Sequence, residues 1–273
     1  MPSADLSHDS IARPRRALLR EAACLARTLY AAIVFATGTL LFMRPFAWLY
    51  FAIGRTTERK RLRYHRWMSR IARTALRLIP GVRLTVRNLA GEDFTRQAVI
   101  VCNHQSHLDL LCILSLTPRL IILTNDWVWH NPFYGSIIRH AEFYPVSDGV
   151  ERNLERLRGL ARRGYSVMMF PEGTRSADCR ILRFHQGAFR LAAELGLDVL
   201  PVFLHGAGLV MPKRGVRLYA GRIFMEIGAR QKAPSPDDEG AVRRMRAEMH
   251  RYYVEHYAEL CRELETGRVK NTE

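Results

Sequence analysis

From Val82 onward the chain alternates short apolar runs with longer stretches of helical periodicity, and this alternation limits most strongly the folds open to it. Residues 82–86, 98–102, 120–123, 142–146, 166–170, 199–204 and 216–227 read as strands, each a brief run rich in aliphatic and aromatic residues. Helices are expected over 108–116, 132–138, 149–163, 184–195 and 236–264. Such a succession builds an α/β sheet with helices on its faces, and ligands in these folds gather where strand ends meet loops. The 273 residues, 48% of them hydrophobic, suffice for one large domain and an appendage. We place the boundary between residues 1–79, a basic and apolar helical region, and residues 80–273, the α/β domain with its C-terminal helix. The break at Pro234-Ser235-Pro236 precedes that last helix.

The appendage has its own pattern. Residues 1–16 are polar, contain Pro14 and are expected to be loosely ordered. Thr28 to Met43 then carries no charge, a run short of the ~20 residues a spanning helix needs. Arg44-Pro45 interrupts it before a second apolar piece, Phe46 to Gly54. This predicts a helical hairpin dipping into one leaflet, with a tilted single span and a buried core helix as the other arrangements. Arg13, Arg15, Arg16, Arg20 and Arg27 precede the run, and Arg55, Arg59, Lys60, Arg61 and Arg63 follow it, so both ends are expected on the cytoplasmic side. A cleaved signal peptide is not expected, because the apolar run starts late and Asp5, Asp9 and Glu21 precede it. Residues 55–78 read as a basic helix with Leu62, Trp67, Ile71, Ala75 and Leu78 on its apolar side, suited to anionic headgroups or to packing on the α/β domain.

A net charge of +16 implies an anionic partner, nucleic acid or an anionic membrane surface. The chain has no zinc-ligand spacing, no aromatic RNA-binding strand signature and no isolated basic recognition helix, which sets nucleic acid aside. The apolar N-terminal region favours membrane, and the expected location is the cytoplasmic face of a membrane, of the bacterial inner-membrane kind. Cys24, Cys102, Cys112, Cys179 and Cys261 show no paired spacing and suggest reduced thiols.

Two heptapeptides carry chemistry. Asn103-His104-Gln105-Ser106-His107-Leu108-Asp109 follows the strand at 98–102. Ser106 is suited to cap a helix beginning near His107, which puts His104 in the strand-to-helix turn and Asp109 in the first helical turn. From there a carboxylate can hold one imidazole nitrogen and leave the other free to take a proton from a hydroxyl. A satisfied surface turn is the plain alternative. His104, His107 and Asp109 could also be imagined around a metal, but no fourth ligand is evident and no metal is expected. Cys102 alternates with Ile100 and reads as a buried strand position rather than a nucleophile. The chain lacks Gly-x-Ser-x-Gly, which argues against a serine hydrolase. The second heptapeptide, Phe170-Pro171-Glu172-Gly173-Thr174-Arg175-Ser176, closes the strand at 166–170. Gly173 permits a tight turn, and Arg175 offers a planar fork of donors suited to phosphate oxygens. Glu172 could accept from an acceptor hydroxyl or fix Arg175, and a surface turn with a local ion pair is again the alternative.

Together these stretches resemble the first and third motifs of the glycerolipid acyltransferases, the lysophosphatidic acid acyltransferase family. Asn131-Pro132-Phe133-Tyr134-Gly135 is similar to the Pro and Gly of the family's second motif. Phe184-His185-Gln186-Gly187-Ala188-Phe189 is similar to its Gly-Ala-Phe helix start, and Val199-Leu200-Pro201-Val202 to its Pro-containing fourth motif. The resemblance extends over residues 80–230. It departs where the family commonly carries lysines: Asn125 and Asp126 stand before Pro132, and His185-Gln186 stand before Gly-Ala-Phe. Arg175, Arg180 and Arg183 remain as cations for a phosphate.

The resemblance implies a single domain with a central mixed sheet flanked by helices, and a membrane-associated O-acyltransferase of phospholipid biosynthesis. Such an enzyme moves a fatty acyl group from a thioester of acyl carrier protein or coenzyme A to a hydroxyl of a lysophospholipid such as 1-acylglycerol-3-phosphate. It implies His104 as base, Asp109 as its orienting carboxylate, and Glu172, Gly173, Thr174 and Arg175 around the acceptor, with no cofactor beyond the thioester co-substrate. The missing lysines leave open acylation of a different lipid hydroxyl. A thioesterase and a non-catalytic lipid or acyl-carrier-binding protein are the other readings.

Overall fold

The computed structural model describes residues 8–145 and 149–266. Its seven strands are β1 (Val82–Asn88), β2 (Val99–Cys102), β3 (Leu120–Thr124), β4 (Tyr144–Pro145), β5 (Ser166–Met169), β6 (Val199–His205) and β7 (Gly221–Ile227). They form one sheet in the order β1-β7-β6-β2-β5-β3-β4. All neighbours are parallel except β6 and β7, so the sheet is mixed as expected. Every residue of β2, β3 and β5 is buried, which requires cover on both faces and explains why these strands are unbroken apolar runs without alternation. The expected strand at 216–227 begins only at Gly221. The one at 142–146 is reduced to two residues, and Val146 lies outside the described residues.

The remaining helices of the domain are α4 (Leu108–Leu114), α5 (Asp126–Trp129), α6 (Gly135–His140), α7 (Gly149–Arg162), α8 (Gly187–Leu195), α9 (Ala207–Val210) and α10 (Glu239–Glu265), preceded by α3 (Glu58–Leu78). One group joins α3 to α4 and β1, and another sets α7, α8 and α10 against β5, β2 and β6. Capping fixes the long helices locally. Thr57 accepts from Lys60 N at 3.3 Å to start α3, and Asp238 accepts from Ala241 N at 3.0 Å to start α10.

The N-terminal region departs from two expectations. Helix α1 (His8–Thr37) already includes residues expected to be loosely ordered, because the Ala, Arg and Leu-rich sequence lets a long helix extend toward its start. Residues 1–7 lie outside the described residues. Nor does Arg44-Pro45 break the chain into a hairpin. A π-helical turn, Gly38–Met43, runs directly into α2 (Arg44–Ala52), and this wider turn absorbs the hydrogen bond that Pro45 cannot make. The charge of Arg44 is turned onto the domain, where its Nη1 donates to Pro132 O at 2.7 Å. The reversal comes later, at Gly54 with φ +67°, and α3 is the returning arm. Phe46 packs on Trp67 with ring centroids 4.1 Å apart, and Phe51 on Tyr64 at 5.1 Å.

Candidate active site

The site begins where β2 ends between β6 and β5. Buried Asn103 donates through Nδ2 to Leu204 O and accepts at Oδ1 from Leu204 N, both at 2.8 Å, and so clamps the end of β2 to β6. The chain then turns through His104 to His107 into α4. Ser106 supports this start as the sequence suggests, since its Oγ accepts from Leu108 N at 3.3 Å while donating to Met211 O at 2.9 Å.

Asp109, in the first turn of α4, has no exposed side-chain surface. Its Oδ2 accepts from His104 Nδ1 at 2.8 Å, Gln105 N at 2.6 Å and Ser106 N at 2.8 Å. Two backbone N–H groups converging on that oxygen make Asp109 an acceptor toward the imidazole as well. The ring therefore carries its hydrogen on Nδ1 and keeps Nε2, on the opposite edge, as an acceptor. The His104 side chain is 17% exposed and stacks on Phe170 at 3.8 Å with planes 12° apart, so its position is fixed from the edge and from the face. Asp109 Oδ1 is buried and has no partner among the described residues. Such an arrangement can take a proton from a hydroxyl and stabilise the imidazolium that results.

The second heptapeptide comes from β5, the neighbour of β2. Gly173 takes φ +67°, the left-handed turn that its sequence position predicts. Glu172 is 3% exposed, and its oxygens accept from two backbone groups, His104 N at 3.1 Å and Leu182 N at 3.3 Å. Ser176 N donates to His104 O at 2.7 Å. The loop is thus stitched to the backbone of His104 from both sides. The Glu172 oxygens face the catalytic turn, and among the described residues no ion pair joins Glu172 to Arg175, so it does not fix that side chain. Burial pushes the Glu172 carboxyl up to about 7, against the smaller opposing effect of its two backbone donors.

Thr174 and Arg175 stand at the rim. Thr174 is exposed and accepts at Oγ1 from Lys213 Nζ at 3.3 Å. Arg175 is partly exposed. Its charge reaches His107, whose pKa is lowered chiefly by burial and further by Arg175 and His104. His107 packs edge-on against Trp127 at 5.7 Å. His185 packs beside Gly173, while Arg180 pairs with Asp178 at 3.4 Å on the surface and Arg183 is exposed. Cys102 is fully buried, and burial pushes its thiol well up, away from nucleophilic use. Among the described residues no group of three His, Cys, Asp or Glu side chains is placed to hold a metal.

Two participants escaped the sequence reading. Phe170, first residue of the second heptapeptide, supplies the imidazole's stacking face, a contact that its place at a strand end does not reveal. Lys213 reaches the site from the irregular segment after β6, and no local pattern marks it, because only the adjacency of β6 and β2 brings it there.

The acyltransferase family model matches residues 82–205, which contain both heptapeptides. A chloroplast 1-acyl-sn-glycerol-3-phosphate acyltransferase of Arabidopsis thaliana is 32% identical over 159 residues, 56% of this chain and 44% of that protein. The 1-acyl-sn-glycerol-3-phosphate acyltransferase of Pseudomonas aeruginosa is 28% identical over 229 residues, 81% of this chain and 83% of that one. The crystal structure of the 1-acyl-sn-glycerophosphate acyltransferase from Thermotoga maritima shares the fold, with a TM-score of 0.72 at 23% identity over 87% of this chain and 98% of that one. The matches to the plant chloroplast relatives take in less than half of their length, 44% and 46%. Both motifs stand at adjacent strand ends of this sheet, within residues 82–205 that match the acyltransferase family, and the chain is similar to 1-acyl-sn-glycerol-3-phosphate acyltransferases.

Proposed function

We propose that the protein transfers a fatty acyl group from an acyl thioester of coenzyme A or acyl carrier protein to the free hydroxyl of 1-acylglycerol-3-phosphate. The observation that carries this reading is the buried Asp109 holding His104 at Nδ1, with Nε2 left as an acceptor at the mouth of the site. His104 Nε2 takes the hydroxyl proton as the acceptor oxygen attacks the thioester carbonyl. The tetrahedral intermediate collapses by breaking the carbon–sulfur bond, and the thiolate leaves with the proton that His104 carries. Asp109 stabilises the imidazolium between these steps, while Glu172 is a positioning residue that holds the His104 backbone. Arg175 binds the acceptor's phosphate. The activity for which the plant and Pseudomonas relatives are named supports this acceptor. The test is thiol release from an acyl thioester: it should require the lysolipid, whereas release with water alone would indicate a thioesterase.

Three cation positions usual in the resembled motifs are absent, one before Pro132, where Asn125 and Asp126 stand, and the pair at His185-Gln186, which favours a second reading, acylation of a different lipid hydroxyl. A panel of lyso-acceptors decides between them, since turnover confined to 1-acylglycerol-3-phosphate removes the second.

The proposed setting is the cytoplasmic face of a membrane. The helical stretch Ala17–Ala52 is long and apolar enough to cross one. It is nevertheless bound to the domain along its length: Cys24 Sγ donates to Leu218 O at 3.3 Å, Arg27 Nε to Pro80 O at 2.6 Å, and Phe35 packs on Phe133 at 6.3 Å. A helix fastened in this way lies along the membrane plane, with Leu41, Phe42 and Trp48, each at least 66% exposed, turned into the leaflet. Flotation with vesicles of mixed neutral and anionic phospholipid tests this. Full recovery of the protein in the soluble fraction at low salt would refute it.

A further inference from the structure

We propose that Lys213 joins Arg175 as the seat of the acceptor's phosphate and sets the preference for a phosphorylated over an uncharged acceptor. This rests on the acyl-transfer reading above and assigns a specificity residue that none of the motifs contains.

The positioning argument starts from the segment that carries Lys213. Strand β6 ends at His205, and Gly206 turns the chain with φ +82°, where a Cβ would meet Arg222 O at 2.2 Å. Only glycine fits there, so the direction in which α9 leaves the sheet is fixed. The end of α9 is then tied to the catalytic turn, since Ser106 Oγ donates to Met211 O at 2.9 Å. Pro212 fixes its own φ and restricts Met211 before it, and Lys213 follows. The ammonium is therefore delivered by the turn that holds His104, through Ser106, which also donates its backbone N–H to Asp109.

The chemistry of its surroundings points to an anionic ligand. Lys213 Nζ donates to Thr174 Oγ1 at 3.3 Å, a long bond to a neutral hydroxyl that leaves the charge uncompensated. Among the described residues no carboxylate pairs with Lys213 or with Arg175. The pKa of the buried Glu172 carboxyl is lowered by the charge of Lys213 less than by either backbone donor, and Glu172 spends its oxygens on those backbone N–H groups. A compact ammonium at Thr174 and the planar guanidinium of the adjacent Arg175 thus belong to the loop that is stitched to the backbone of His104. A phosphate monoester carries the charge and the oxygen atoms to engage both.

The experiment compares 1-acylglycerol-3-phosphate with the monoacylglycerol of the same chain length in mixed micelles, using wild type, Lys213→Met and Lys213→Arg. Losing one charge-assisted contact should raise KM for the phosphorylated acceptor by about 10- to 100-fold in Lys213→Met, with kcat changed by much less. Lys213→Arg should restore most of the difference, and turnover of monoacylglycerol should be the same in all three. Equal losses on both acceptors, or an unchanged KM, would overturn the proposal, because a merely structural lysine gives no phosphate-dependent split. Calorimetric binding of the phosphorylated lysolipid separates the two readings. Binding weakened only by Lys213→Met without acyl transfer in any variant would overturn the acyl-transfer reading and support the seat. Acyl transfer with binding unaffected by the substitution would do the reverse.

Discussion

Asp109→Asn preserves the shape of the side chain and removes its charge, so it separates support of the imidazolium from packing. In the protein Oδ2 accepts from His104 Nδ1, Gln105 N and Ser106 N at 2.8, 2.6 and 2.8 Å, while Oδ1 is buried and has no partner among the described residues. The two backbone donors force the amide oxygen of an asparagine into the Oδ2 position and its NH2 into the empty Oδ1 position. His104 then keeps its Nδ1 hydrogen bond, but the imidazolium formed in the reaction faces a neutral group. At an effective dielectric constant of about 20, a charge pair about 4 Å apart is worth about 4 kcal/mol, which corresponds to about 10³ in rate. The buried, unpaired NH2 should cost about 1–3 kcal/mol of stability, offset in part because a buried charge is gone. The assay is acceptor-dependent thiol release followed with a chromogenic disulfide, beside thermal unfolding by circular dichroism. We expect kcat to fall about 10³-fold with KM little changed. A folded variant whose kcat stays within about tenfold of wild type would refute the electrostatic role given to Asp109.

Glu172 gives a pH prediction. Its carboxyl is raised from the usual 4.5 to about 7 by burial, so between those values the folded protein holds a proton that the unfolded chain has released. Stability should therefore fall as pH rises through this window, by about 3 kcal/mol in all, and Glu172→Gln should lack that component; thermal unfolding curves of equal pH dependence in the two proteins would contradict it. Asn103→Ala strands both Leu204 backbone groups in the core and should lower urea-unfolding stability by about 2–4 kcal/mol, whereas a loss below about 1 kcal/mol would show that the clamp is dispensable. Replacing Phe42 and Trp48 together by Ser should abolish vesicle flotation without lowering the thermal midpoint, since both side chains are 69% exposed; unchanged flotation would remove them from the membrane contact.

Strand placement was legible because the buried parallel strands β2, β3 and β5 are apolar at every position and need no context to be seen. The His104 and Asp109 pairing was legible for a related reason: both lie within one strand-to-helix turn whose geometry is local. What was hidden depends on long-range neighbours. Glu172 meets the backbone of a residue 68 positions earlier, and burial there, invisible in its own heptapeptide, decides both its partners and its charge. Lys213 reaches Thr174 across 39 positions because the segment after β6 folds back onto the catalytic turn. In the N-terminal region Arg44-Pro45 is locally a stop signal, and the helix passes it only because the π turn and the contact of Arg44 with Pro132 accommodate both residues.

The central claim, that His104 is the base of an acyl transfer, is tested most directly by the acceptor-dependent thiol release of His104→Gln, a variant that retains a polar side chain in the turn. The account predicts a fall of about 10² to 10⁴ in kcat with lysolipid binding preserved. Near-normal turnover by the folded variant would contradict it.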